Sequence, residues 1–304
     1  MIGIPGNILT LIVLNSKAYE YSVSNISLNV LAGPDLFALV TLLFRSLENW
    51  GYPLRIQSDG SCKFITYILQ LATKFASMVL TVIMIERAVS VSFPLHAKTL
   101  ITKRRLLAAY LFMLGFFLLF YIPVFLYHEV TFVAGMPECD LYTDYPVFLD
   151  YYYPYSTALF EVFLPFSVIM ISSGVIIFKI RQAHHARQAQ LGQNEDDNLT
   201  STTLMLASVG VVFLICMLPR LVDEIGFPLN MYGDTDWGIA VNWLMVYTSF
   251  SLARLNNALN FFVYCLTGKR FRSAFITVMC PCRKGKVKEH LPGAKLSSKV
   301  KCAA

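Results

Sequence analysis

Residues 62–94 read CKFITYILQLATKFASMVLTVIMIERAVSVSFP, and this stretch decides the fold. Mostly apolar residues separate Cys62 from the Glu86-Arg87 pair, which lies about 25 residues further along the chain. At about 1.5 Å per residue, a helix of that length covers about 37 Å and can cross a hydrocarbon core of about 30 Å. The stretch therefore predicts a membrane-spanning helix with a cysteine at one face and a charged pair at the other. Charged residues in such positions usually have a function.

The composition of the whole chain indicates an all-α membrane protein. Hydrophobic residues make up 56% of the 304 residues and charged residues 14%, against about 25% charged residues in a soluble domain. Apolar runs long enough to span a bilayer occur at 28–44, 64–85, 106–126, 158–180, 203–218 and 238–266. They lack the strict alternation of an outer-membrane barrel strand. A shorter apolar run at 1–14 predicts a first helix that is truncated at its N-terminus.

The distribution of charge sets the expected orientation. Most of the 25 Lys and Arg residues fall on one side of the spans, ten of them within 269–301. The positive-inside rule assigns that side to the cytoplasm, so seven spans leave the N-terminus outside. We expect two parts. Residues 1–280 form the seven-transmembrane helix bundle with a short amphipathic eighth helix, and 281–304 form a basic, disordered cytoplasmic tail attracted to anionic membrane lipid.

Short motifs occur in order along the whole chain. They are Gly6-Asn7, Leu31-Ala32-Gly33-Pro34-Asp35, Cys62, Glu86-Arg87, Pro94-Leu95, Pro165, Phe213, Cys216-Met217-Leu218-Pro219, Asn260-Phe261-Phe262-Val263-Tyr264 and Gly268-Lys269-Arg270-Phe271-Arg272. Together they resemble the motifs of rhodopsin-like (class A) G-protein-coupled receptors. Within that family, residues 260–272 are most similar to invertebrate receptors for FMRFamide-like neuropeptides. Ala88, Met217 and Phe261 replace residues that are usual at switching positions of the family.

The resemblance implies roles for several sets of residues. Coupling to a G protein would involve Glu86, Arg87, Pro94, Leu95 and Tyr264. The hinge and switch of the fifth and sixth helices would involve Pro165, Phe213, Met217 and Pro219. A polar network around an allosteric sodium ion would involve Asp35, Asn7, Asn256 and Asn260, although Ala76 replaces a serine that usually ligates the ion. A water-filled network without an ion, or a protonated Asp35, is the alternative.

Cysteine usage agrees with the topology. Cys62 and Cys139 fall on the outer, oxidising side and are predicted to form a disulfide. Cys280 and Cys282 follow the short amphipathic stretch and are candidates for palmitoylation, with plain reduced thiols as the alternative.

The outer halves of the spans contain ionisable residues that a membrane interior rarely tolerates. These ligand-pocket candidates are Lys74, Glu161, Arg220, Asp223, Glu224 and Arg254. Lys74 and Glu161 could instead form a structural bridge between the third and fifth helices. Arg220 and Arg254 suit the recognition of carboxylates or carbonyls. Acidic residues outnumber basic ones at the outer side, which favours a cationic peptide.

The resemblance implies a non-enzymatic receptor of the plasma membrane. Its expected partners are an extracellular peptide, a heterotrimeric G protein and, as a further partner, arrestin; nucleic acid is not expected. A constitutively active or decoy orphan receptor and a receptor for a small amine remain as alternatives. A retinal protein would need a lysine where Arg254 stands. Inverted repeats typical of transporters, and metal, Gly-x-Ser-x-Gly or phosphate-loop motifs typical of enzymes, are not evident.

Overall fold

The computed structural model describes residues 2–19, 23–48, 50–133, 136–141, 147–189, 197–226, 231, 233 and 235–280. The helices are α1 Gly3–Leu14, α2 Val23–Glu48, α3 Asp59–Ser92, α4 Pro94–Leu100, α5 Lys103–Phe120, α6 Ile122–Tyr127, α7 Tyr153–Thr157, α8 Leu164–Ala189, α9 Asp197–Gly226, α10 Asp236–Thr267 and α11 Lys269–Met279. Two strands, β1 His128–Val133 and β2 Met136–Leu141, form a hairpin, and π-helical turns at Phe148–Tyr152 and Ala158–Phe163 flank α7. The predicted tail at 281–304, with Cys282, lies outside the described residues.

The described helices form the predicted membrane bundle. Five helical segments are long and apolar enough to cross a bilayer, namely Asn25–Glu48, Asp59–Ser92, Lys103–Tyr127, Tyr153–Ala183 and Thr202–Gly226. The 12-residue α1 and the 32-residue α10 pack beside them and complete the seven-helix arrangement of the described chain. Large apolar side chains such as Phe112, Leu119 and Ile215 are exposed on its flanks, where hydrocarbon would cover them.

Helix α3 lies at the centre of the bundle. It packs against α2, α5, α6, α8 and α9. Its buried residues include Phe75, Val79 and Ile83 in the middle and the Glu86-Arg87 pair at the inner end. The side chain of Ser58 accepts a hydrogen bond from the backbone N–H of Ser61, and the side chain of Ser61 accepts one from the backbone N–H of Ser58. This capping box defines the outer end of the helix. One helix therefore connects both faces of the membrane through the core.

A disulfide attaches the β1–β2 hairpin to the outer end of α3. Cys62 and Cys139 are bonded with their Cα atoms 5.6 Å apart, which confirms the predicted pair. The carboxylate of Asp59 accepts the backbone N–H of Val130 at 2.9 Å, and Arg55 donates to the carbonyl of Cys139 at 3.1 Å. Val130 and Cys139 face each other in the antiparallel register. The hairpin is therefore held over the bundle from both of its strands.

Two prolines shape the helices around the core. Pro165 has no N–H to donate and its ring crowds the carbonyl four residues back, at Glu161, so the preceding turn widens into the π-helical segment Ala158–Phe163. The sequence predicted a proline effect here but not the π-helical geometry. Pro219 lies inside a continuous α9. Phe261 stands where the family has a proline, and α10 continues without interruption to Thr267.

The short helix α11 follows α10 directly, as predicted for the amphipathic eighth helix. Its apolar residues Phe271 and Ala274 are buried, whereas Arg272 is exposed. The guanidinium of Arg272 donates to the carbonyls of Cys265 and Leu266 at 3.1 and 3.2 Å. These carbonyls belong to the last turn of α10, where the helix itself supplies no donors. Arg272 thus stabilises the junction of the two helices.

Candidate functional site

A cavity opens at the outer end of the bundle. Its volume is about 290 Å³, and its walls come from α2, α3, α7 with the π-helical turn that follows it, α9 and α10. Of the predicted pocket residues it contains Lys74, Glu161, Arg220, Glu224 and Arg254. Asp223 is buried beside the cavity and supports Arg220. The structure thus brings together side chains that are up to 180 residues apart in the sequence.

Lys74 and Glu161 form an ion pair in this cavity. Their Nζ and Oε2 atoms are 2.7 Å apart, and Lys74 is 1% exposed. The ammonium also donates to the side-chain carbonyl of Gln70, which in turn contacts Tyr153. The widened turn before Pro165 carries Glu161, so the backbone geometry there positions the carboxylate. Of the two interpretations left open by the sequence, the bridge between the third and fifth helices is the one observed.

Arg220 is neutralised within its own helix. Its guanidinium lies 3.0 Å from a carboxylate oxygen of Asp223 and also pairs with Glu224. The ring of Phe250 lies under the guanidinium at 4.2 Å, and the hydroxyl of Ser249 contacts Asp223 at 3.4 Å. Sequence reasoning missed Phe250 and Ser249, because nothing in the spacing of α10 indicates which residues face α9.

A polar network occupies the middle of the bundle. The side-chain amide of Asn260 donates to Asp35 at 2.6 Å, and that of Asn7 donates to the carbonyl of Asn257 at 3.0 Å. Asn256, which was predicted to share this network, instead lines the outer cavity, and its Oδ1 has no hydrogen-bond partner among the described residues. Asn257 was not predicted, since the i,i+4 spacing of Asn256 and Asn260 pointed to the wrong neighbour of Asn260.

The residues of this network fit a sodium ion by their chemistry. Asp35 offers a carboxylate that is 1% exposed, and the Oδ1 of Asn7 lacks a hydrogen-bond partner within the described chain. Hard cations prefer oxygen ligands of this kind. A bound sodium ion would supply a positive charge beside Asp35, and Asp35 and Asn7 would hold it. In the described residues, no group of three His, Cys, Asp or Glu side chains could bind a metal ion otherwise.

A second network closes the inner end of the bundle around Glu86. The hydroxyl of Ser27 donates to its carboxylate at 3.0 and 3.2 Å, and that of Tyr110 at 2.9 Å. Arg87 lies 3.9 Å from the same carboxylate and is 5% exposed. The sequence did not identify Ser27 or Tyr110 as site residues. The position of Tyr110 inside the apolar run 106–126 was a signal that could have identified it, whereas Ser27 precedes the run 28–44 and gave no such signal.

The other predicted coupling and switch residues lie in the core and at the inner surface. Phe213 and Met217 are buried in the core, and Met217 also forms part of the cavity wall. Tyr264 is buried with its ring 5.4 Å from that of Phe271. Pro94 begins α4, and the following Leu95 is 78% exposed at the inner surface.

The loop between α1 and α2 adds Tyr19 to the inner end. Its ring contacts Phe271 edge-on at 6.3 Å. Burial raises the pKa of Tyr19, and the charges of Arg270 and Arg87 act against that rise.

Comparison with known proteins accounts for this arrangement. The family model described as 7 transmembrane receptor (rhodopsin family) matches residues 6–264. The chain belongs to the rhodopsin family of G-protein-coupled receptors. The receptor is 26% identical to neuromedin-U receptor 2 of Mus musculus over 99% of this chain and 78% of the relative. It is 24% identical to growth hormone secretagogue receptor type 1 of Mustela putorius furo over 92% of this chain and 78% of the relative.

Membership of the family settles the general function of the receptor. It is a multi-pass protein of the plasma membrane that signals by coupling to a G protein and is not an enzyme. The topology of the family places the cavity at the extracellular end and the Glu86 network at the cytoplasmic end. Cys280, one of the two palmitoylation candidates, is an exposed free cysteine at the end of α11. Its palmitoylation remains a prediction.

Proposed function

We propose that a secreted peptide activates this receptor by inserting one end into the outer cavity. A cavity of about 290 Å³ is at the lower limit of ligand pockets and accommodates only a few side chains. A larger ligand has to extend outwards, over the β1–β2 hairpin that the disulfide holds in place. Exposed aromatic residues at the outer end, including Trp50, Tyr52 and Phe132, offer contact area for such an extension.

The comparisons support a peptide in general terms. Two relatives are named as receptors for neuromedin-U and for growth hormone secretagogues. The similarity of residues 260–272 to receptors for FMRFamide-like neuropeptides suggests a narrower class, and we propose it as the first class to test. The acidic residues of the outer loops, such as Glu129 and Glu138, would attract cationic residues of the peptide outside the cavity.

The charges inside the cavity disfavour a small amine as the ligand. An amine requires a carboxylate that is free to pair with its ammonium group. Among the described residues of the cavity, Glu161 already pairs with Lys74, and Glu224 already pairs with Arg220. An amine would have to displace one of these cations, and breaking a buried pair costs about 3–5 kcal/mol.

The observation that carries the proposal is the double role of α9. This helix contributes Met217, Arg220 and Glu224 to the cavity, and Gly210 in its inner half packs against Met84 of α3. Pro219 lies between Gly210 and the cavity residues Arg220 and Glu224, and it removes a backbone hydrogen bond from the helix. A peptide that displaces the outer part of α9 would open the inner end at this hinge. Arg87, now buried, would then reach the G protein, and arrestin would use the same opening.

A cell assay tests this function directly. The receptor is expressed in cells, a panel of neuropeptides that includes amidated peptides and peptides with a free C-terminal carboxylate is applied, and calcium and cyclic AMP are recorded. We expect at least one peptide to activate the receptor. The variant Arg87→Ala should lose nucleotide exchange on the G protein while it still binds that peptide. Arg104→Ala, which changes an exposed arginine on the same side, serves as the matched control.

The same assay separates the alternatives. A receptor that signals strongly without any peptide and responds to none would be constitutively active. One that binds a peptide without any signal would be a decoy. Retained signalling by Arg87→Ala would contradict the role assigned to this arginine.

A further inference from the structure

The outer cavity contains more positive than negative charge. Arg45, Lys74, Arg220 and Arg254 line it, against two carboxylates, Glu161 and Glu224. The excess is unexpected, because the loops above the cavity are acidic. The excess of positive charge indicates that the part of the ligand that enters the cavity differs in charge from the part that contacts the outer loops.

The described acidic residues in and beside the cavity are already engaged. Glu161 lies 2.7 Å from Lys74, while Asp223 and Glu224 both hold Arg220. Glu48, one turn beyond Arg45 on α2, uses both carboxylate oxygens on Arg55, at 2.9 and 3.1 Å.

Two of the guanidinium groups that line the cavity remain without a carboxylate partner among the described side chains. Among the residues that the structure describes, neither Arg45 nor Arg254 forms an ion pair with a carboxylate. Glu161 attracts Arg254 electrostatically, but its carboxylate is shared with Lys74.

The two arginines act on the same region from opposite helices. Arg45 is in the last turns of α2, and Arg254 is in α10, with its guanidinium 5.6 Å from the ring centre of Phe250. Both line the cavity, and their positive charges repel each other. Two like charges facing one cavity destabilise the empty receptor, and an anion placed between them removes that repulsion. The planar guanidinium group matches a carboxylate with two parallel hydrogen bonds.

We infer that Arg45 and Arg254 bind a carboxylate of the ligand, either the C-terminal carboxylate of a peptide or an Asp or Glu side chain. This inference rests on the proposed function, since it assigns the chemistry of the ligand group in the same cavity. The nearby Oδ1 of Asn256, which lacks a partner in the described chain, accepts an N–H adjacent to that carboxylate. The bound ligand is therefore anionic at its inserted end and cationic where it meets the loops.

The experiment uses three small probes instead of an unidentified peptide. N-acetylglutamate α-amide has a side-chain carboxylate, N-acetylglutamine has an α-carboxylate, and N-acetylglutamine α-amide has neither. The melting temperature of the purified receptor in lipid nanodiscs is measured against the concentration of each probe. A probe that binds the folded receptor raises this temperature, by about 2–5 °C at roughly ten times its dissociation constant. We expect a saturable rise with one or both carboxylates and none with the diamide.

Variants then locate the effect. Arg254→Gln and Arg45→Gln should each reduce the apparent affinity of the active probe at least tenfold, whereas Arg254→Lys should reduce it less because the charge remains. Lys63→Gln removes a positive charge on α3 that does not line the cavity and should change nothing. The probe that is active identifies which of the two carboxylates the site prefers.

The wild-type comparison decides the inference even if a variant fails to fold. Equal stabilisation by the diamide and the carboxylates, or no stabilisation by any probe, would overturn it, as would a carboxylate effect that survives both substitutions. The outcome is separable from that of the proposed function. If no peptide activates the receptor, the peptide assignment fails while the probe result stands. If a peptide activates it and the probes have no effect, only the carboxylate site fails.

Discussion

At the scale of single residues, the receptor supplies several partners for the buried charge of Glu86. Glu86 is 4% exposed and accepts bonds from Ser27 and Tyr110 while it faces Arg87. Removing one partner of a buried charge leaves the desolvation penalty uncompensated. The partners of Glu86 lie on α2 and α5, so their loss should loosen these helices from α3. Such changes should alter the balance between closed and open receptor.

The substitution Tyr110→Phe tests whether the partners of Glu86 stabilise the closed receptor. The substitution removes the hydroxyl that donates to Glu86 at 2.9 Å and changes little else. Loss of a bond to a charged group costs about 1.5 kcal/mol, which should shift the closed-to-open equilibrium roughly tenfold. We expect higher basal nucleotide exchange on the G protein, measured without ligand in membranes.

Tyr67→Phe is the matched control for that measurement. It removes a hydroxyl from the outer half of α3, the helix that carries Glu86, where the group donates to the carbonyl of Leu118 at 2.7 Å. Basal exchange should stay unchanged. If both variants behave alike, or if Tyr110→Phe has no effect, Glu86 does not restrain the closed state.

We expect His128 to make the outer hairpin sensitive to acid. Burial lowers the pKa of His128, although the Nδ1 contact of 2.8 Å with the carbonyl of Val124 and the charge of Asp140 oppose this. Below about pH 6.5 the unfolded chain takes up a proton that the folded receptor refuses, so stability falls with falling pH. The loss is at most about 1.4 kcal/mol per pH unit. We expect the melting temperature to drop between pH 7 and pH 5.5, and His128→Gln to reduce this drop.

The exposed His96 provides the comparison for this pH dependence. His96→Gln should leave the pH dependence of melting as it is in the wild type. An unchanged drop in His128→Gln would assign the acid sensitivity to other groups.

At the scale of elements, the receptor depends on junctions where helices approach closely. Gly268 connects α10 to α11, and Met205 of α9 packs over it. A side chain at this position would meet the sulfur of Met205 and would lie 2.7 Å from the carbonyl oxygen of Tyr264. The methionine could move, but the backbone carbonyl could not. The close packing of three helices at this point therefore requires a glycine.

Gly268→Ala should destabilise the receptor by about 1–3 kcal/mol through overpacking, seen as a melting temperature several degrees lower. Gly115→Ala is the control, because nothing lies within 4 Å of a Cβ at that position of α5. The control should melt at the wild-type temperature or slightly above it, since alanine favours a helix. A stable Gly268→Ala variant would show that the junction relaxes without cost.

At the scale of the whole molecule, α10 connects the outer cavity to the polar centre of the receptor. Asn257 lines the outer cavity, and its carbonyl accepts the amide of Asn7. Asn260, one turn further along α10, donates to Asp35. A change in the position of α10 would therefore affect the cavity and Asp35 together. This connection provides a route from ligand binding to the polar centre, independent of the hinge in α9.

Replacement of sodium tests whether the polar centre around Asp35 influences signalling. If sodium binds the closed receptor about 1 kcal/mol more tightly than the open one, it should lower basal nucleotide exchange roughly fivefold. We expect basal nucleotide exchange to fall by this factor when sodium chloride replaces N-methylglucamine chloride at constant ionic strength. Asp35→Asn should abolish the sodium effect, and Asp236→Asn, which alters an exposed acid of α10, should retain it. Equal responses of all three proteins would place the effect of sodium elsewhere.

The charged pairs show how far the sequence could predict the site. It identified Lys74, Glu161, Arg220 and Arg254 as buried charges, because charge in an apolar span is conspicuous from composition alone. It did not show that Arg220 pairs with acidic residues of its own helix or that Arg45 lines the same cavity as Arg254. Which charges pair depends on the rotation of each helix about its axis. Helices exposed to lipid on one side and protein on the other show only a weak apolar periodicity, so this rotation is difficult to predict.

The sequence by itself determined the crossings, their direction and the disulfide. These properties depend on the partition of apolar runs and positive charges between lipid and water, and partition acts on each segment separately. Only the tertiary structure decided that Ser27 and Tyr110 hold Glu86 and that Asn257, not Asn256, joins the central network. It also decided that a widened turn before Pro165 presents Glu161 to Lys74. These contacts depend on where neighbouring helices touch, and a shift of one residue, about 100° around a helix, changes every partner.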